Sequence, residues 1–377
     1  ILVGAILTGL IVAGFWMFPA GQSPMFYFGW LAIGSFLLST VYSIFVVPYG
    51  ALGLELTSDY HERTRVMGTK SILHKCSGVV NQWLLKLVQL AGSGSLLLGG
   101  RYAGVILGFM VAGFGALTAW KVPERIRPSR PVSARPKLNA WSSWKETWKR
   151  PAFVRLVLAQ VMVYASVLII DNIGFYLNIY YVNGGDMSAG AYLKGFSGTA
   201  FQVGGIVFIP WIVRLSKRVG KRNAFLLCNL TIIAAGIAKW FCYVPDAGWW
   251  PVLPSILLAP GLAAVMVLVP SMTADVCDLD ELQTGERREG MFNAVLGWVL
   301  KLAASGSIFL SGFALELTGW ETDLGAAQTE QTYQIMRIFF AAGTIVFALL
   351  AMYFIAGYKV TETDVANSRR AVGNGSS

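Results

Sequence analysis

One kind of segment recurs from end to end of this chain: an apolar run of about 18 residues or more, long enough at ~1.5 Å per residue to cross a hydrocarbon layer of ~30 Å. Ten such runs can be read, at residues 1–18, 26–54, 71–91, 102–120, 153–182, 192–215, 224–244, 251–276, 291–318 and 333–358. Backbone inside lipid must satisfy its own hydrogen bonds, which a helix does within a single run. The chain is therefore expected to be an all-α, polytopic membrane protein. Composition agrees, with 13% charged residues against roughly a quarter in soluble domains.

A net charge of +10 raises nucleic acid as a partner, but the position of the charge argues otherwise. Lys and Arg collect in alternate inter-run segments: His61 to Arg65 with Lys70, 121–150, 214–222, 286–288, and the tail with Lys359, Arg369 and Arg370. The segments between them, 19–24, 92–101, 183–191, 246–250 and 321–330, hold one basic residue, Arg101. This alternation is the positive-inside pattern, so the basic set and both ends of the chain are expected to be cytoplasmic and nucleic acid is not expected as a partner. Trp249, Trp250, Trp320 and Tyr102 lie at the opposite ends of the runs, where an aromatic belt belongs. Cys76, Cys228, Cys242 and Cys277 show no CxxC spacing, and signal neither a metal site nor a disulfide framework. The first run opens at Ile1 with no Met or charged leader, which reads as a truncated start.

The chain also repeats itself. Val47-Pro48-Tyr49-Gly50-Ala51, followed by Glu55, Asp59, Glu62 to Arg65 and Lys75, returns in outline as Val269-Pro270-Ser271-Met272-Thr273-Ala274-Asp275, then Asp278, Asp280-Glu281, Glu286 to Glu289 and Lys301. In both copies a proline-bearing run ends in acids, turns through bases and re-enters the membrane. Two related halves with a site between them are a common carrier plan. Counting runs around each copy leaves two helices unaccounted for before Ile1, so ten of twelve are expected here. The expected organisation is 1–120 as the first half (helices three to six), 121–150 as a cytoplasmic linker, 151–358 as the second half (helices seven to twelve) and 359–377 as a cytoplasmic tail.

Pro48 to Arg65 resembles the signature after the fourth helix of the glycoside-pentoside-hexuronide:cation symporters, the melibiose-permease-like branch of the major facilitator superfamily. Ala274 to Gly290 resembles that family's segment between helices ten and eleven, and Arg214 to Arg222 its loop between helices eight and nine. The resemblance runs the length of the chain. It implies a cation-coupled symporter of a small solute, a sugar or glycoside, working by alternating access in a bacterial plasma membrane. Lys301 falls where the family keeps a lysine beside its cation and sugar sites, whereas Val46 replaces an aspartate that the permeases use for both. Lysophospholipid or amino-acid transport on the same fold is therefore an alternative.

Ionisable groups inside a span cost about 2.5–3.5 kcal/mol on insertion scales, and so face a partner or a wet cavity. Lys301 and Asp171 are the cation-coupling candidates. Asp171, Asn172, Tyr176, Trp298, Tyr49 and Gln202 are the substrate-binding candidates; Asn172 and Tyr176 share a helix face, and Trp298 lies on that of Lys301. Each also has a plainer reading, as a structural pair or a packed aromatic. Lys86 is read as either lining a cavity or snorkelling, and Lys239 and Glu316, near outer ends, as snorkelling. Asp59, Glu62, Arg63, Arg65, Asp275, Asp278, Glu281, Arg287 and Arg288 are read as gating ion pairs that break when the carrier reopens, against a purely topogenic role. No cofactor is expected beyond a coupling ion, Na⁺ or H⁺, and no metal site. The expected partners are a small-molecule substrate and membrane lipid, with the chain a monomer. A polytopic transferase is the alternative from another class, since Asp278-Leu279-Asp280 has the form of a metal-binding DxD; two histidines, His61 and His74, and the lack of a large extramembrane segment argue against it.

Overall fold

In the computed structural model, the described residues are 1–55, 73–93, 95–122, 140–284 and 289–360. Eight helices among them are long and apolar enough to cross a membrane, and Leu2–Phe15 is a shorter apolar helix. The chain divides into two units, Ile1–Ser133 and Ala134–Ser377, and the break falls inside the expected linker.

The first unit contains α1 (Leu2–Phe15), α2 (Pro24–Glu55), α3 (73–82), α4 (Leu84–Ala91) and α5 (Leu96–Lys121). The run expected to span 71–91 is broken by a turn at Trp83. The α5 helix starts six residues earlier than its apolar run, because Ser95 caps it by accepting from the Leu98 backbone N–H at 3.4 Å. The axis of this unit is the crossing of α1 and α5, where glycine permits backbone approach: a Cβ on Gly9 would lie 2.4 Å from the Gly108 carbonyl oxygen. Close crossings of this kind replace the hydrophobic effect as the source of helix association in lipid.

The second unit contains α6 (Ala140–Trp148), α7 (Pro151–Tyr176), a π-helical turn at Leu177–Val182, α8 (Met187–Val219), α9 (Lys221–Cys242), α10 (Val252–Thr284), α11 (Glu289–Leu317) and α12 (Glu330–Ala356). The last stretch of the expected linker is thus helical. Its α6 packs on α7 and α11, with Trp144 edge-on to Trp298 and Trp148 edge-on to Phe153 at ring distances of 6.2 and 6.4 Å. The α7 helix lies against α10, α11 and α12, while α8 and α9 pack on α10 and α9 on α12. The core between them is side-chain rather than glycine packing: Phe153 meets Phe292 edge to face at 4.9 Å, with Met272, Ile232 and Ile355 buried nearby.

The basic segment 214–222 is not a loop. The α8 helix runs through it to Val219, and α9 starts at Lys221. Arg and Lys are good helix formers and are favoured at a helix C-terminus, where they oppose its dipole. The whole reversal is made at Gly220, whose φ of +81° suits glycine. Pro210, Pro260 and Pro270 are carried inside α8 and α10 without ending them.

Candidate functional site

Consecutive residues near the C-terminal end of the second unit's first long helix, α7, face different neighbours. Asp171 Oδ2 lies 2.7 Å from Lys194 Nζ on α8, with the aspartate side chain 63% and the lysine 26% exposed. Asn172 Nδ2 donates to Ser311 Oγ on α11 at 2.9 Å. One turn on, Tyr176 stacks on Tyr180 at 6.2 Å and meets Trp320 edge-on at 5.2 Å. A single helix therefore presents an ion pair towards α8, an amide towards α11 and an aromatic group towards the α11–α12 connection. The π-helical turn that follows is held by Asn178, whose Nδ2 donates to the Gly190 carbonyl at 2.8 Å. Such turns are often found at functional positions.

Lys301 is exposed on α11 and makes no ion pair among the described residues. Trp298, three residues before it, is 51% exposed, and the Trp144 ring meets it edge-on. Gln202 is half-buried on α8. Tyr49 belongs to the first unit, where it packs on Phe45 at 5.6 Å.

A second set of charges gathers where α8 and α10 end and α9 begins. Lys221 Nζ holds Asp275 Oδ2 at 2.6 Å. Arg150, just before α7, holds the buried Asp280 at 2.7 Å and also donates to Gln283. Arg155 and Arg222 donate to the Gly357 and Ala356 carbonyls at the end of α12, the groups a helix C-terminus leaves unsatisfied. Asp275 thus finds its partner inside its own unit. Asp278 and Glu281 are half-buried beside it. Asp59, Glu62, Arg63, Arg65, Arg287 and Arg288 lie outside the described residues.

One expectation is overturned. Lys239 does not snorkel: it is 4% exposed, and its Nζ donates to Thr344 Oγ1 at 2.8 Å. The cause is its helix, since α9 packs against α12 and turns this residue inward. Lys86 is buried as well, at 8%, whereas Glu316 is exposed as expected. Two residues were not singled out from sequence: Lys194 and Arg337, the latter 9% exposed and donating to the Trp240 carbonyl at 2.8 Å. Arg337 had a readable signal, being an arginine inside an apolar run. Lys194 had only its position, 23 residues from its partner.

Helical units with polar groups aimed between helices, gathered charges at helix ends and apolar outer faces are the build of a multi-pass solute carrier. The chain belongs to the MFS/sugar transport protein family, whose profile matches residues 1–362. It is 26% identical over 224 residues to an uncharacterized symporter of Synechocystis sp., covering 57% of this chain and 39% of that protein. It is 25% identical to the uncharacterized symporter YjmB of Bacillus subtilis, covering 85% of this chain and 67% of YjmB. To a glucuronide carrier protein homolog of Escherichia coli it is 22% identical, covering 86% and 68%. The chain thus spans from about two fifths to about two thirds of the length of these relatives, 39% to 68%. Among solved structures, a bacterial homolog of the human lysosomal transporter Spinster, inward-facing and unoccupied, superposes with a TM-score of 0.60 at 17% identity, covering 98% of this chain and 82% of that one. That likeness concerns the fold. The family is one of transporters rather than enzymes, as the symporter resemblance of the sequence implied.

Proposed function

We propose that the chain forms the solute-handling part of a cation-coupled symporter for a sugar or glycoside, working by alternating access in a bacterial plasma membrane. The observation that carries this reading is the exposed polar step on α7, where Asp171 with Lys194 and Asn172 with Ser311 gather carboxylate, ammonium, amide and hydroxyl groups near the end of the helix. Hydroxyl-rich solutes are recognised by such carboxylate, amide and hydroxyl groups, and a titratable or ion-binding carboxylate beside them is what coupling requires. The names of the relatives, symporters and a glucuronide carrier homolog, support the same class. Lys301 is assigned to the coupling step, with Na⁺ or H⁺ as the ion, and the charges around Asp275 and Asp280 to the gate at the basic, cytoplasmic end.

The test is uptake of a panel of labelled sugars and glycosides into proteoliposomes with an imposed Na⁺ or H⁺ gradient. The expected result is accumulation above equilibrium under one of the two gradients. Equilibration alone would mean a channel, and would overturn the reading. Lys301→Ala is expected to lower gradient-driven accumulation by about tenfold or more, corresponding to ~1.4 kcal/mol of lost coupling. Unchanged accumulation would remove Lys301 from the mechanism.

A further inference from the structure

Two arginines from different helices meet on one backbone end. Arg155 Nη1 donates to the Gly357 carbonyl and Arg222 Nη2 to the Ala356 carbonyl, so adjacent residues bring the two guanidinium groups together where α12 stops. The platform beneath them is firmly held. Gly357 lies so close under the Arg155 group that a Cβ there would stand 2.9 Å from Nε. The next residue, Tyr358, is 2% exposed, and its hydroxyl donates to the Met272 carbonyl on α10 at 3.2 Å, which pins the chain leaving α12.

The charge gathered here is not neutralised within the unit. Arg155 is the fifth residue of α7 and Arg222 the second of α9. Each therefore stands near the N-terminal end of its own helix, where the dipole disfavours a cation. The end of α12 offers roughly half a negative charge in return, which two helix N-termini outweigh, so an excess of about two positive charges remains. Among the described residues neither arginine makes an ion pair. Asp275 and Asp280 are taken by Lys221 and Arg150, at 2.6 and 2.7 Å. Arg214, Lys217, Arg218 and Lys359 add further exposed bases. Each guanidinium has several N–H donors beyond the one that holds a carbonyl.

We propose that Arg155, Arg222 and the carbonyl end of α12 form a headgroup site for an anionic phospholipid, whose phosphodiester bridges the two guanidinium groups. The fork of N–H groups on arginine matches phosphate oxygens two at a time. Basic recesses between spans on the cytoplasmic side hold such headgroups, and this is the end at which the positive-inside pattern places the cytoplasm. The exposed surface of the helices that leave the site is apolar and suits acyl chains: Leu227 and Leu230 on α9, Leu349 and Tyr353 on α12. A bound lipid ties α7, α9 and α12 together at a point where no carboxylate of the described residues does. The site is separate from the polar step on α7 and stands whether or not the chain is a symporter.

The test uses lipid and no transported solute. The purified protein in neutral detergent micelles is titrated with phosphatidylglycerol, with phosphatidylcholine of the same acyl chains, or with inorganic phosphate, and thermal unfolding is followed. Salt is held at ~0.15 M, where exposed charges more than ~8 Å apart are largely screened. Phosphatidylglycerol is expected to raise the melting temperature by several degrees, because a ligand of the folded state stabilises it by mass action. The other two should leave it unchanged. Arg155→Gln with Arg222→Gln should weaken the apparent affinity for phosphatidylglycerol by about tenfold or more, through loss of the charge-assisted hydrogen bonds. Lys217→Gln with Arg218→Gln removes as much charge from the neighbouring elbow, and should cost less than about threefold. An equal rise with phosphatidylcholine would overturn the proposal. So would an equal rise with inorganic phosphate, which would make this a site for a soluble anion, or equal losses in the two double variants, which would mean a diffuse basic surface. If the arginine double variant does not fold, Arg222→Gln alone, at an exposed position, decides the matter: a loss of about threefold or more upholds the site, and an unchanged titration ends it.

Discussion

The two ends of the second unit treat charge in opposite ways. At the end where α8 turns into α9, acids are held by bases from other segments, Asp280 by Arg150 and Asp275 by Lys221, and Arg155 and Arg222 close the carbonyls of α12. Towards the other end, one exposed aspartate meets Lys194, the buried Lys239 donates to a threonine hydroxyl, and an arginine rests on a backbone carbonyl and a tryptophan ring. Pairs of this kind hold helices of one unit together, because either partner is costly to strand once buried. Bases that rest on a hydroxyl, a carbonyl or a ring are not tied to one carboxylate. The contrast separates an end whose helices are held to one another by charge from an end where charged groups rest on neutral partners.

This contrast can be broken most decisively at Arg150. Arg150→Met would remove the base that stands 2.7 Å from the Asp280 carboxylate, 1% exposed, and should cost up to about 3–5 kcal/mol of stability, the usual range for breaking a buried pair. Thermal unfolding is the readout. Lys221→Met strands Asp275 less completely, since its side chain is 12% exposed and that of the lysine 39%. A loss of about 1–2 kcal/mol is expected after allowing for solvent screening. Smallest of all should be Lys194→Met. Its pair with Asp171 is open to solvent, so the change in stability is expected to stay below about 1 kcal/mol. A Lys194 effect as large as that at Arg150 would erase the distinction between the two ends.

The all-α membrane class was legible from the sequence because the length of an apolar run states whether it can cross the bilayer, but of the ten runs read, eight are helices long enough to span among the described residues, while 1–18 holds a shorter helix and 71–91 is broken at Trp83. Ends were less so where charge is involved: residues 214–219 read as loop by polarity and are helix by propensity. Of the candidate site, Asp171 and Asn172 were legible, since polar groups in a span need partners. Their partners were not, because Lys194 and Ser311 come from other helices and their facing is set by packing. Lys239 shows the limit most clearly. Its distance from the end of a run suggested the interface, but distance along a helix says nothing about which side of it is covered, and α12 covers this one. Trp298 is a substrate-binding candidate with a packed aromatic as its plainer reading, and the ring that meets it belongs to the chain's own α6.

The single glycine joining α8 to α9 bears on how the protein is made as well as on its shape. With one residue between a helix ending at Val219 and another starting at Lys221, there is no spare chain for the first helix to settle across the bilayer while the second waits outside. The two enter as a hairpin. Its elbow carries Arg214, Lys217, Arg218, Lys221 and Arg222, a cluster that resists translocation. Lys194 and Lys239, in contrast, ride on the arms that must go in, and it is α7, the helix synthesised just before them, that supplies the carboxylate Lys194 holds.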